Sequence, residues 1–136
     1  MIEYRTGNDL DLDEVIEVYV ESTLGERRPV GDRDRMAGML REANLVLTAW
    51  DDAQLVGISR AVSDFNYATY LSDLAVRRSH QRRGIGVELI RRTQLAAPQA
   101  SVILLSAPAA VGYYPRIGFT RHESAWVLRP GETLEG

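Results

Sequence analysis

The stretch Gln81-Arg82-Arg83-Gly84-Ile85-Gly86 carries the most explicit chemistry in this chain. Gly84 and Gly86 leave no side chain in the path of a polyanion. The residues after them have the periodicity of a helix, whose first amides are unpaired and backed by the positive end of the helix dipole. Arg77, Arg78, Arg82 and Arg83 gather positive charge here although the formal net charge is -3, so the charge points to a local ligand. A phosphate-bearing molecule answers all of these features. Two common nucleotide loops are excluded. Gly86 is followed by Val87, where a Walker loop needs Lys and then Ser or Thr. About twenty positions on, where a dinucleotide site needs an acidic residue, stands Ser106.

The elements that must hold this turn read in the order βααβββαβαβ. A short strand covers 2–5, and Asp9 or Asp11 caps a helix to about Glu21 with Leu12, Val15, Ile16, Tyr19 and Val20 as its buried stripe. Gly25 to Gly31 breaks it, and Asp32 or Asp34 opens a second helix with Met36, Met39 and Leu40 on one side. Leu45 to Trp50 and Leu55 to Ser63 flank Asp51-Asp52 as a β-hairpin. Ala68 to Val76 is the strand feeding the turn, with Tyr70, Ser72, Leu74 and Val76 on one face and Leu71, Asp73 and Ala75 on the other. A helix over 86–95 follows, then an apolar strand, Val102 to Leu105, expected to be buried on both faces. A short helix over 109–117 and a last strand bearing Trp126, Val127 and Leu128 complete the chain.

Composition bounds the reading. A chain of 136 residues, 45% of them hydrophobic, suffices for one domain spanning 1–136 with a genuine core. The acidic balance argues against binding nucleic acid by bulk charge, and no aromatic platform accompanies the arginines. With no cysteine, a thiolate metal site and a Cys nucleophile are excluded, and no His, Asp or Glu spacing resembles a metal centre. The start MIEYRTGNDL has no apolar signal core, and no apolar run approaches the ~20 residues that span a bilayer. A soluble, cytoplasmic protein with no membrane partner is expected. Of the two histidines, His80 reads as solvated in the basic turn and His122 as part of the last strand region.

The turn resembles the acetyl-coenzyme A signature of the GNAT superfamily of N-acetyltransferases, Gln/Arg-x-x-Gly-x-Gly/Ala, preceded by a strand ending Leu-x-Val, here Leu74-Ala75-Val76. A second match, Tyr113-Tyr114-Pro115-Arg116-Ile117-Gly118-Phe119, resembles the family's aromatic-Tyr-x-x-x-Gly-Phe element. The likeness runs from about Leu45 to Val127. It implies an α/β GNAT fold: a central mixed, mostly antiparallel twisted sheet flanked by helices, with strands splayed at the cofactor site.

The same resemblance implies the chemistry. Acetyl-coenzyme A is the acyl donor and no metal takes part. The main chain of Leu74, Ala75 and Val76 would pair with the pantetheine arm as an added strand does, and Gln81, Arg82, Arg83, Gly84, Ile85 and Gly86 would hold the pyrophosphate. Tyr114 would donate a proton to the departing thiolate, a phenol near pKa 10 being well matched to a thiol. Ser106 stands near where many relatives carry an arm-binding Asn. Where relatives place Glu or His as base, this chain has Tyr70 or Ser72, so the proton leaves through ordered water or through Asp73, the nearest carboxylate, or the amine binds already partly neutral. Tyr70, Ser72, Glu26 and Trp126 are acceptor-binding candidates, with Glu21, Asp64, Phe65 and the pair Arg27-Arg28 near the same opening. The expected activity is direct acetyl transfer to a primary amine of a small or amino-acid-like molecule, in a chain that forms a homodimer if it assembles. The alternative is a catalytically silent acyl-coenzyme A binding module on the same fold.

Overall fold

The computed structural model describes residues 1–136 and divides into two compact units, Met1–Leu105 and Ser106–Gly136. The first contains five strands in the order β1-β2-β3-β4-β5. These are β1 (Ile2–Thr6), β2 (Leu45–Asp51), β3 (Gln54–Ser63), β4 (Ala68–Val76) and β5 (Ser101–Ile103). β1 to β4 pair antiparallel, and β5 joins β4 in parallel. Three helices accompany the sheet: α1 (Leu12–Glu21), α2 (Arg33–Glu42) and α3 (Ile85–Ala96), the last forming the crossover between the parallel strands. The mixed, mostly antiparallel sheet is the one expected.

Local chemistry accounts for these boundaries. The Asp11 carboxylate accepts from the Asp13 amide at 3.2 Å and that of Asp32 from the Arg35 amide at 3.1 Å, each filling an orphan donor of a helix start. The α1 stripe proves to be Val15, Val18 and Tyr19, with Leu12 and Ile16 packed beside it; Val20, expected inside, is exposed. The turn between β2 and β3 has Asp52 at φ 52°, the left-handed conformation that a two-residue hairpin loop needs and that Asp tolerates.

The core gathers α1 and α2 residues Val15, Val18, Tyr19, Met36 and Leu40 over Val46, Leu55, Ile58 and Ala75. Each large apolar side chain fully withdrawn from water contributes about 1.5–3 kcal/mol before ordering costs. α3 rests on the sheet so closely that a Cβ at Gly57 would lie 3.1 Å from Leu89 Cδ1, and Ser59 Oγ meets Thr93 Oγ1 at 2.7 Å.

Three expectations are corrected in the later part of the chain. β5 covers Ser101–Ile103 rather than Val102 to Leu105, and it is the outer strand of the sheet, which leaves Ile103 and Leu105 about half exposed instead of buried on both faces. The second unit holds a 3-10 turn, Pro108–Ala110, and the four-residue α4 (Tyr113–Arg116), in place of one helix over 109–117. Gly118, at φ 113°, ends it. Trp126, Val127 and Leu128 form no strand: no ladder partner receives their backbone groups, and Trp126 is exposed.

Candidate active site

β4 behaves differently in its two halves. β5 pairs only with Ala68, Thr69 and Tyr70, so from Leu71 to Val76 that side of β4 has no strand partner. The Arg77 amide donates to Val56 O of β3 at 2.8 Å; since backbone polarity alternates along a strand, Val76 and Leu74 turn their N–H and C=O to the unpaired side. The Val76 carbonyl already accepts from Gln81 Nε2 at 3.0 Å. This is the splayed edge expected at the cofactor site, a ready template for an extended arm to pair along.

A short 3-10 turn, Arg78–His80, joins the edge to the glycine turn. Gly84 is the N-cap of α3 at φ 79°, it supplies no capping side chain, and a Cβ built on it would meet nothing within 4 Å. The glycine therefore serves conformation and an open approach, not internal packing. The amides that follow it begin a 12-residue helix and have no acceptor further up that helix. Gln81, Arg82, Arg83 and Gly84 are exposed, with Arg82 itself left-handed at φ 64°. Donors, charge and space here fit a pyrophosphate.

Two basic-turn residues have other duties. Arg77 is buried, donating from Nε to Leu55 O at 2.6 Å and from Nη1 to Glu17 at 2.7 Å, so it ties β4 to β3 and α1 rather than facing a ligand. His80, expected to be solvated, is buried with Nε2 2.8 Å from Asp51 Oδ2 and Nδ1 2.7 Å from Ser79 Oγ. Together they pin the turn to the β2–β3 hairpin.

Asp73 is also unlike its expectation. Its side chain is wholly buried and receives Tyr19 Oη, Arg28 Nε and Arg60 Nε, each at 2.6 Å. Burial alone would raise its pKa, but the Arg60 guanidinium, the Tyr19 hydroxyl and Arg28 outweigh it and hold the carboxyl below its usual range. Burial and the Asp73 charge in turn push the Tyr19 phenol well up. A carboxylate so engaged and hard to protonate is poorly suited to act as a general base; in the fold it anchors α1, the loop after it and β3 to β4. Glu21 differs: it lies 3.9 Å from Arg77 Nη1, and its buried Oε2 accepts no hydrogen bond.

The anchor sits at a register shift. Arg60 pairs with Asp73 and Ala61 with Leu71, so Ser72 is an extra residue in β4, a bulge of the kind that re-aims groups beside functional sites. Its carbonyl accepts from Arg28 Nη2 at 2.9 Å and its hydroxyl from Arg60 Nη2 at 2.8 Å. Neither Arg60 nor the Tyr19 hydroxyl was anticipated. An arginine inside the otherwise apolar run of β3 was the available signal.

Other candidates are placed as follows. Tyr70, two-fifths exposed, lies where β5 leaves β4, and Glu26 is exposed in a 3-10 turn, Leu24–Arg27. Asp64 is occupied by the amides of Asn66, Tyr67 and Ala68. In the second unit, Tyr114 packs edge-on against Tyr113 and Phe119 with centroids 5.2 and 5.4 Å away; burial, then the neighbouring Tyr113, raises its pKa. Ser106 is half-buried, and His122 is exposed.

A model of the acetyltransferase (GNAT) domain matches residues 19–128. Comparison with curated proteins gives no match. Among solved structures, a GNAT-family acetyltransferase from Streptococcus pneumoniae TIGR4 is 25% identical with a TM-score of 0.76, over 95% of this chain and 99% of that one. A protein from meticillin-resistant Staphylococcus aureus (17% identity, TM-score 0.78, 95% and 99% covered) has the same fold. So has the aminoglycoside N-acetyltransferase AAC(6')-Iy in its complex with CoA (16%, 0.72, 95% and 94%). The family match spans most of the sequence, including the open edge of β4 and the glycine turn: the chain belongs to the GNAT acetyltransferases.

Proposed function

We propose that this protein transfers the acetyl group of acetyl-coenzyme A directly to a primary amine of a small or amino-acid-like molecule. One observation carries the reading: the edge at Leu74 and Val76, which has no strand partner, is joined by one short basic turn to the bare N-terminus of α3 flanked by Arg82 and Arg83. A solved relative of the same fold, an aminoglycoside N-acetyltransferase, is described in complex with CoA, which supports the cofactor.

Acetyl-coenzyme A supplies the activated thioester. The amides of Ile85 and Gly86 and the side chains of Arg82 and Arg83 bind its phosphates. The N–H groups of Leu74 and Val76 align the arm, and an amide of this edge polarises the carbonyl. On the resemblance, Ser106 takes the place of the arm-binding Asn, Tyr70, Ser72 and Glu26 would border the acceptor, and Trp126 is the acceptor-binding candidate of the second unit. Tyr114, protonated at neutral pH as a phenol ordinarily is, donates its proton as the thiolate departs. With Asp73 engaged, water takes the proton of the attacking amine.

Thiol release, followed with acetyl-coenzyme A and a panel of amines, tests the reading. Coenzyme binding without release from any amine would favour the silent module. Tyr114→Phe is expected to lower turnover tenfold to a thousandfold with coenzyme binding nearly unchanged. Rate should climb with pH according to the pKa of each amine. A plateau set near pH 6 to 7, the same for all amines, would instead reveal a base tuned by the protein.

A further inference from the structure

Two of the carboxylates that would attract a cationic acceptor are engaged within the protein. Asp73 is saturated and Asp64 caps its own turn; Glu21 lies 3.9 Å from Arg77 Nη1 with its buried Oε2 accepting no hydrogen bond, and Glu26, like Asp64, is exposed and forms no ion pair. The charge that does face the bulge is positive. Arg28 and Arg60 share one carboxylate, Asp73, and neither forms an ion pair with another.

Their donors are incompletely used. Arg28 gives Nε to Asp73, Nη1 to Arg27 O and Nη2 to Ser72 O. Arg60 gives Nε to Asp73, Nη1 to Met39 O and Nη2 to Ser72 Oγ. A guanidinium has five N–H bonds, so each retains two without a protein acceptor. The Arg28 side chain is 21% exposed and that of Arg60 11%, which places Arg28 outermost. Arg27, exposed beside it, adds charge of the same sign. A partly desolvated pair of cations with a single anion attracts a second anion, and the planar fork of Arg suits a carboxylate or a phosphate.

The position decides what that anion belongs to. Ser72, whose carbonyl Arg28 holds, precedes Leu74 by two strand residues, about 7 Å. An acceptor whose amine lies near Leu74 would thus bring an anionic group of its own within reach of the Arg28 fork. Resting on the acetyl-transfer reading, we infer that the acceptor is an amine carrying its own anionic group, held by Arg28 with Arg60 behind it, and not a polycationic amine. Its class is an amino acid or an aminoalkyl phosphate.

Steady-state acetylation of matched acceptors tests this: amino acids, their carboxamides, their decarboxylated amines, and O-phosphoethanolamine beside ethanolamine. The inference expects kcat/KM at least tenfold higher for one anionic series than for its neutral or cationic counterparts; the amino acids or the phosphate then identify the anion. Arg28→Gln should erase at least tenfold of that preference through KM, while Arg28→Lys, which keeps the charge and loses the fork, should retain part of it. Thermal unfolding of both variants separates this from misfolding, and in a variant that fails to fold the wild-type ratio alone decides. Equal or better use of the decarboxylated amines overturns the inference and leaves acetyl transfer standing. Coenzyme binding with no release from any acceptor overturns both.

Discussion

The Asp73 cluster and the glycine turn both concentrate charge beside β4, yet they are built in opposite ways. At Asp73 the carboxylate meets three donors in the interior, and its partners reach it from α1, the following loop and β3. At Gly84 the donors are backbone amides, the arginines are exposed, and a Cβ would find open space. The first is an arrangement whose anion is already supplied by the protein. The second offers the same kind of hydrogen bonds to an anion that must come from outside. Removing the carboxylate from the first should therefore destabilise the protein, and altering the second should mainly empty the site.

The largest effect is expected from Asp73→Asn. It leaves the buried Arg60 and the partly buried Arg28 without a counter-charge, and breaking a buried pair from one side costs about 3–5 kcal/mol. Urea unfolding measures it; a variant as stable as the parent would erase the distinction between the two regions. The same carboxyl governs acid stability. Its pKa in the folded state lies below the ordinary carboxylate value near 3.9, so the stability it contributes is complete above that value and is lost as the pH falls through the folded one. The acid limb of a stability profile should accordingly be shallower in Asp73→Asn.

Gly84→Val should act on the ligand more than on the fold. A β-branched residue at φ 79° carries strain of about 1–3 kcal/mol, and its side chain enters the space left for phosphate. Coenzyme affinity should fall at least tenfold, about 1.4 kcal/mol, by calorimetric titration of protein that remains folded. Parental affinity there would show that the turn holds no pyrophosphate. The smallest effect belongs to Arg82→Ala and Arg83→Ala. Exposed charges contribute roughly 0–1 kcal/mol, so each should weaken coenzyme binding by no more than about fivefold, and less at high salt. A loss greater than that of Gly84→Val would mean that side chains, not amides, dominate the turn.

The turn was legible in the sequence because everything that makes it is contiguous. Alternation gave β4 its bounds, the glycines its end, and the apolar stripe of α3 its direction. The cluster joins Asp73 to residues 13, 45 and 54 positions away, and no local pattern encodes such pairings. Tyr19 satisfied the apolar spacing of α1, so its hydroxyl went unread, and Arg60 sat in a strand whose other residues announced only burial. Trp126 to Leu128 shows the converse. Three strand-favouring residues do not make a strand, since that state is defined by a partner that may lie anywhere in the chain.

β5 holds to β4 by three residue pairs, whereas β3 and β4 pair along most of their length. Short, outermost and half exposed, it belongs to the part of the sheet with the lowest free energy of local opening. In hydrogen-exchange measurements its amides should trade with deuterium earlier than those of β3 and β4, and an arm seated along Leu74 and Val76 should slow that trade. The width of the slot beside β4 would then be set by the least protected strand of the sheet.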